Sequence, residues 1–326
     1  MMSGHYSFTS CFAPFIESMI TEKRNAGFQY EHAEWILHKF DEFCNQEQVE
    51  TPVITQELAG KWGTLCKTET KVTLAGRISV LRQLSLYMQA YGIKCYVPRN
   101  FTRKSSRIAY VLSIEEIQSL FLEIDSYQPA INAEVFHRLA LEYRILFRML
   151  FCCGLRVSEA RKLRLDMVDP ENGVLKIYQS KGSNDRLVYL PDDLRQLCCE
   201  YLKIMTVKYK IKSEWFFPAS DPAKVLQVAS VGKRFHRAWE QTPYAREGVL
   251  QPTVHSLRHT FVVLRMNEWM KSGVKLDNMM PYLSKYLGHS SPDDTFYYYH
   301  QVEEAFSIIK QKDQSASFVI PEVADE

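Results

Sequence analysis

No stretch of this 326-residue chain approaches the ~20 consecutive apolar residues that a membrane-spanning helix needs. Its first twelve residues lack the basic start and apolar core of a signal peptide. None of the eight cysteines sits in a Cys-x-x-Cys pair. Cys152-Cys153 and Cys198-Cys199 are adjacent pairs in apolar helical stretches, where neighbouring side chains point about 100° apart and suit neither a zinc site nor an ordinary disulfide. The expectation is therefore reduced, mostly buried thiols in an intracellular protein. There is no cluster with metal-ligand spacing, no glycine-rich phosphate cradle, no internal repeat and no low-complexity tract. Charge of one sign is also missing overall, since the formal net charge is only +2.

What is present is ordinary globular material: 46% hydrophobic and 24% charged residues, in a length that suits two domains better than one. The first 92 residues read as four helices. Pro14 can occupy the first turn of a helix running to about Lys23. Ala33, Ile36, Leu37, Phe40 and Phe43 give one apolar face over 30–46, a third helix is expected near 55–66, and Leu74, Ile78, Leu81, Leu84 and Met88 line a fourth over 70–91 that Gly92 stops. Residues 93–111 have no clear period, contain Pro98 and carry Lys94, Arg99, Arg103, Lys104 and Arg107 without one acidic residue. They read as a basic interdomain linker, although charge alone fits a solvated loop equally well.

The second domain is expected over 112–312, with a flexible polar and acidic tail over 313–326. Ser113 and Glu116 form a capping box before Ile117, Leu120 and Phe121. A long helix covers about 132–152 and a short one about 158–163. Alternating, β-branched segments at 174–179 and 186–190 predict a hairpin whose turn is 180–185. Helices follow over about 191–207, 230–240, 255–271 and 276–287, with one or two more over 297–309. The fold class is thus mainly α with a small antiparallel β-sheet.

Three polar constellations interrupt the apolar patterns. Gly154-Leu155-Arg156-Val157-Ser158-Glu159 puts one arginine at a helix junction with an acid three residues on; alone, Arg156 fits a surface charge as well as a cleft. His255-x-x-Arg258 shares a helical face, a forked donor beside a proton-carrying imidazole, which suits a phosphate but also a structural histidine. His259 lies off that face and reads as structural. Leu287-Gly288-His289-Ser290 precedes three adjacent tyrosines, Tyr297, Tyr298 and Tyr299, which alone would read as packing or a stacking platform.

Taken in order, these motifs resemble those of the tyrosine recombinase (phage integrase) family, over nearly the whole chain. The resemblance puts the family's catalytic arginines on Arg156 and Arg258, its intervening histidine on His255, its second histidine on His289, its hairpin lysine on Lys181 and its supporting acid on Glu159. The nucleophile lies nine residues after the glycine-histidine motif's histidine and two before the histidine of Tyr-x-His; both counts select Tyr298. Pro292-Asp293-Asp294 departs from the family's Ser/Thr-rich stretch. The resemblance further implies an N-terminal core-binding (SAM-like) four-helix domain, a catalytic domain from Leu112, and an architecture nearer the two-domain Xer-type or mobile-element enzymes, there being no room before Phe12 for an arm-binding domain.

The same resemblance implies the chemistry. Tyr298 attacks a DNA phosphodiester, Arg156 and Arg258 clamp the non-bridging oxygens with help from His289, His255 acts as base or relay, and Lys181 protonates the leaving 5′ oxygen. The product is a 3′-phosphotyrosine link, with no cofactor and no metal. The partner is double-stranded DNA, gripped by both domains, in a homotetramer that can include sister recombinases and in which a helix over 302–309 docks on a neighbour. Lys71, Arg77, Arg82 and the basic linker residues are candidate phosphate contacts, each equally compatible with solvated surface. The setting implied is cytoplasmic, prokaryotic and nucleoid-associated. A type IB topoisomerase or telomere resolvase would use the same chemistry, and a non-catalytic DNA-binding protein could keep the fold.

Overall fold

The computed structural model describes residues 6–66, 69–99, 109–178, 185–246, 250–289, 291 and 293–298. The chain divides into two compact units, Met1–Arg107 and Ile108–Glu326.

The first unit holds four helices, α1 (Ala13–Asn25), α2 (Glu31–Gln46), α3 (Gln56–Trp62) and α4 (Lys71–Ala90). Each start has a local cause. Pro14 sits in the first turn of α1, where a missing N–H costs nothing, and the hydroxyls of Thr55 and Thr70 accept the backbone N–H groups of Leu58 and Thr73. The third helix is shorter than its sequence suggests, ending at Trp62 with Gly63 as its cap. Phe12, Ile16, Leu37, Phe40, Leu81 and Leu84 form the centre of its core. Asp41 is buried there, and it is satisfied by the backbone N–H groups of Thr9 and Ser10 and by the Ser10 hydroxyl.

The second unit is built round α6 (Glu134–Cys152), which packs against α5 (Ile114–Ser126), α7 (Val157–Ala160), α8 (Asp192–Val207) and α10 (Val254–Lys271). α5 begins with the predicted reciprocal cap: the Ser113 hydroxyl accepts from Glu116 N–H, and the Glu116 carboxylate accepts from Ser113 N–H at 2.8 Å. The hairpin strands are β2 (Val174–Ile177) and β3 (Arg186–Tyr189), paired antiparallel from Val174↔Tyr189 to Ile177↔Arg186. A third strand, β1 (Val168–Asp169), pairs with β2 and was not foreseen, because two residues are too few to show a period. The turn between β2 and β3 lies outside the described residues.

α9 (Val228–Glu240), α11 (Leu276–Leu287) and the one-turn α12 (Asp293–Phe296) complete the second unit; α12 was not anticipated. The helix expected over 302–309 and the tail lie outside the described residues. α10 and α11 share a small cluster in which Phe261, Val262, Met266, Leu283 and Leu287 surround Tyr298. Of the eight cysteines, four are buried, while Cys66 and Cys199 are exposed, so burial is less general than the sequence implied. Among the described residues no helix is long and apolar enough to cross a membrane.

Gly154, between α6 and α7, has φ +62° and faces the Phe261 ring so closely that a Cβ would lie 2.5 Å from its Cδ1. Only glycine satisfies both conditions. Gly154→Ala is expected to lower stability by about 3 kcal/mol, combining left-handed backbone strain with overpacking. Denaturant unfolding checks this. Phe261→Leu should cost less in the Gly154→Ala background than alone, because it relieves the collision.

Candidate active site

Each polar constellation of the second unit is placed by a different element. Arg156 is the residue before α7, and Glu159 lies in that helix's first turn. The Glu159 carboxylate accepts from Arg156 N–H at 2.8 Å and from Arg156 Nη1 at 2.9 Å. Arg156 Nη2 donates to the carbonyl of Gly288 at 2.7 Å, tying the start of α7 to the end of α11.

Glu159 has a second cation, which the motifs did not reveal. Arg186, first residue of β3, donates from Nη1 and Nη2 to the two carboxylate oxygens at 3.0 and 2.9 Å, and from Nε to the carbonyl of Tyr286 at 2.6 Å. Both side chains of this pair are only 4% exposed. Burial by itself pushes the Glu159 carboxyl up, but the hydrogen bonds and charge of Arg186, with those of Arg156, outweigh it and hold it below the usual carboxylate range. A legible signal existed: on β3, Leu187 and Tyr189 point outward, so Arg186 shares the inward face with Val188. A charge on the buried face of a strand is seldom there without a partner.

Arg258 is buried on α10. Its Nη1 donates to Gly154 O at 2.7 Å, and its Nη2 donates to Leu287 O at 2.8 Å and to His289 Nε2 at 3.0 Å. Because a guanidinium only donates, His289 Nε2 must be the acceptor, and the ring proton sits on Nδ1, which donates to Thr295 Oγ1 at 2.6 Å. Thr295 is thus a further supporting residue that the sequence did not mark. Burial, and then Arg156, push Arg258 down to about 10, which leaves it charged at neutral pH. Burial, followed by Arg258, pushes His289 down to about 3, so it is neutral there.

The C-cap of α11 makes this meeting possible. Gly288 has φ +66°, and His289 N–H returns to Ser284 O. A Cβ on Gly288 would lie 2.9 Å from Arg186 Nη1.

Of the tyrosines, Tyr298 is 4% exposed and Tyr297 38%, while Tyr299 lies outside the described residues. The Tyr298 hydroxyl is 2.6 Å from Nδ1 of His259, the histidine read as structural from its place on the helix. His255 and His259 are one turn apart on α10 and meet edge to face at 4.4 Å between ring centroids. The signal missed was this i,i+4 spacing. Burial, followed by Arg258 and Arg156, lowers His255 to about 4, and burial, followed by His255 and Arg258, lowers His259 to about 3. Burial raises Tyr298 to about 12, with Arg258 and Arg156 pulling the other way.

Lys181 lies outside the described residues, as do Arg103, Lys104 and Arg107. Lys71 and Arg99 are exposed. Arg77 is paired with Glu69 at 2.8 and 2.9 Å and stacks 4.5 Å above the Trp62 ring, and Arg82 donates to Pro98 O at 2.8 Å. Both of these therefore have structural partners within their own unit. Among the described residues no group of His, Cys, Asp and Glu could hold a metal ion.

The sequence signature of the phage integrase family matches residues 112–305, more than half of the chain. The chain belongs to the phage integrase family. Similarity to its members extends across both units: a Sinorhizobium fredii protein named as an integrase/recombinase (y4rB) is 28% identical over 301 residues, covering 89% of this chain and 92% of its own. The tyrosine recombinase XerC of Thermodesulfovibrio yellowstonii is 24% identical, with 80% of this chain and 82% of that one covered. The fold is shared with solved family structures. A XerH site-specific recombinase bound to a difH substrate has a TM-score of 0.63 at 21% identity, covering 91% of this chain and 83% of that chain. A lambda integrase dimer bound to a core site has 0.61 at 16%, covering 87% and 94%.

Within this phage integrase fold the Arg186–Glu159 pair yields a stability prediction. Arg186→Ala leaves a buried carboxylate with half its compensation and should cost about 3 kcal/mol. The pH dependence has a definite sign. The folded carboxyl of Glu159 lies below its ordinary 4.5. Its contribution is therefore present above that value and lost as pH falls through the folded one. The stability gap between wild type and Glu159→Gln, measured by denaturant unfolding, should narrow as pH falls below the ordinary 4.5 and through the lower folded value.

Proposed function

We propose that this protein is a site-specific DNA recombinase that cuts and rejoins strands through a 3′-phosphotyrosine link and a Holliday junction, in the integration and excision of a mobile element or in Xer-like resolution. The observation that carries this reading is the buried Tyr298 hydroxyl hydrogen-bonded to His259, the α10 residue next to Arg258, whose guanidinium reaches both Gly154 and His289. A phenol with an ordinary pKa near ~10 is a poor nucleophile at neutral pH, so it needs a proton acceptor and a stabilised transition state.

The surrounding groups suit that task. Attack on a phosphodiester gathers negative charge on its two non-bridging oxygens. Arg156 and Arg258 are fixed in place by backbone carbonyls and Glu159, so their remaining N–H groups form a preorganised clamp. His289 joins as a donor once a bound anion favours its imidazolium. Lys181, which lies between β2 and β3 in sequence, protonates the departing 5′ oxygen. His255 orients the imidazole next to it and relays protons. Bond energy is conserved in the phosphotyrosine, so rejoining needs only a 5′-hydroxyl. No metal or nucleotide enters the scheme. Double-stranded DNA is the partner, with four protomers on two paired sites.

Nicked suicide duplexes, carrying DNA selected for binding to the protein, test the scheme. Wild type should form a covalent protein–DNA adduct, Tyr298→Phe should form none, and Arg258→Ala should cleave on the order of 100-fold more slowly or worse. An adduct that survives Tyr298→Phe would remove the nucleophile assignment. Relaxation of supercoiled plasmid without recombinant products would instead favour a topoisomerase.

A further inference from the structure

His259 is given no proton to move in the recombinase scheme, yet it touches the reacting atom. We infer that His259 is a catalytic residue of strand cleavage, the immediate acceptor of the Tyr298 hydroxyl proton, with His255 acting behind it. This inference rests on the recombinase reading above and sharpens it.

The geometry carries the argument. His259 Nδ1 lies 2.6 Å from Tyr298 Oη, with the rings 5.3 Å apart and inclined by 48°. That distance is within hydrogen-bond reach without any movement. The partner of His255 in the same stack is His259 itself, at 4.4 Å between ring centroids and 78° between planes. The tyrosine is enclosed with Phe261, Val262 and Leu287, so a proton leaving its hydroxyl has His259 as the receiving group among the described residues. A neutral imidazole presents one bare nitrogen and one N–H. Placing the lone pair on Nδ1 lets the phenol donate to it, and Nε2 then carries the ring hydrogen. The burial and positive neighbours that keep His259 neutral in the DNA-free protein work in the same direction. A phosphodiester bound between Arg156 and Arg258 brings negative charge beside those guanidiniums and so makes the imidazole a better base when substrate is in place.

The step balances. The Tyr298 Oη–H bond breaks and its proton passes to His259 Nδ1, while the Oη–P bond forms. The P–O5′ bond breaks, and the 5′ oxygen takes a proton from the Lys181 ammonium. In rejoining, a 5′-hydroxyl gives its proton to the neutral Lys181 amine as its oxygen attacks phosphorus, the P–Oη bond breaks, and the His259 imidazolium returns its proton to the leaving tyrosine oxygen.

Single-turnover cleavage of suicide duplexes tests this, using an ordinary scissile phosphate and one with sulfur replacing the bridging 5′ oxygen. A thiolate leaves without a proton, so the sulfur substrate repairs loss of the general acid and not loss of the base. His259→Ala and His259→Gln should slow adduct formation on the order of 100-fold on both substrates, whereas Lys181→Ala should be slow only on the oxygen substrate. Cleavage by His259→Ala within about threefold of wild type, or its repair by sulfur, overturns the assignment. The second measurement needs no DNA and no histidine variant. In 15N-histidine spectra of the full chain, one Nδ1 should show the shift of a hydrogen-bonded acceptor, and Tyr298→Phe should abolish that bond. A protonated Nδ1, or a spectrum indifferent to Tyr298→Phe, overturns the proposal. If wild type forms no adduct on any DNA it binds, the recombinase reading and the role built on it both fall, while the spectra still report the contact. An active wild type with unimpaired His259 variants removes the His259 role alone.

Discussion

The site depends on one buried carboxylate. Arg156, Arg186 and Arg258 all influence one another's surroundings, and three cations gathered in a poorly solvated space would drive the chain apart without a counter-charge. Glu159 supplies it, and it does so in a geometry that also sets direction. One oxygen faces Arg156 and Arg186, the other receives Arg156 N–H and the second arm of Arg186. The acid thus joins the first turn of α7 to the first residue of β3. Since Arg186 opens β3, the same carboxylate that steadies Arg156 also anchors the start of the second hairpin strand.

Backbone carbonyls do the remaining alignment. Arg156 binds Gly288 O, Arg258 binds Leu287 O and Gly154 O, and Arg186 binds Tyr286 O. Three consecutive carbonyls at the end of α11 are therefore each taken by a different guanidinium. The carbonyls at a helix C-terminus lack partners within the helix and carry its partial negative charge, so arginine is a natural cap there. The arrangement explains the glycines better than any appeal to flexibility. A Cβ at 288 would collide with Arg186, and a Cβ at 154 with Phe261, the residue that lies one turn beyond Arg258 on the same helix.

Helix content, the α5 cap and the two longer strands were legible because each is written in local sequence: period, capping residues and alternation. β1 and α12 were not, being shorter than any period. The motif residues lie within the second unit in two sets of contacts spanning up to 132 positions: Arg156, Glu159, Arg258 and His289 gather at the end of α11, and His255 and Tyr298 each meet His259, the residue next to Arg258. The supporting residues Arg186 and His259 were harder to see because each acts through a partner remote in sequence, 27 and 39 positions away, and a motif records only near neighbours. Thr295 lies only six positions from His289, but it falls in the one-turn α12 that no period announced. His259 was misjudged in particular because reading one helical face for a phosphate hides the adjacent stripe, on which His255 and His259 are neighbours.

The charge state of the DNA-free site constrains what the proposed reaction needs from its substrate. All three histidines are held neutral, and both hydrogen-bonded ones are committed: His289 accepts from Arg258 through Nε2, and His259 faces the phenol through Nδ1. Among the described residues the charged groups are then three guanidiniums and one carboxylate, a net of two positive charges. A phosphodiester brings one negative charge, and the five-coordinate arrangement formed on attack carries more on the oxygens facing the arginines. The match is therefore better in the transition state than in the bound ground state, which is the condition for the clamp to accelerate chemistry and not only to bind. It also means that the nucleophile is not activated in advance. With burial holding the phenol near 12 and its neighbour near 3, proton transfer between them is unfavourable until an anion arrives. Under the proposed scheme the protein alone thus keeps Tyr298 dormant, and the phosphodiester supplies the charge that changes the balance.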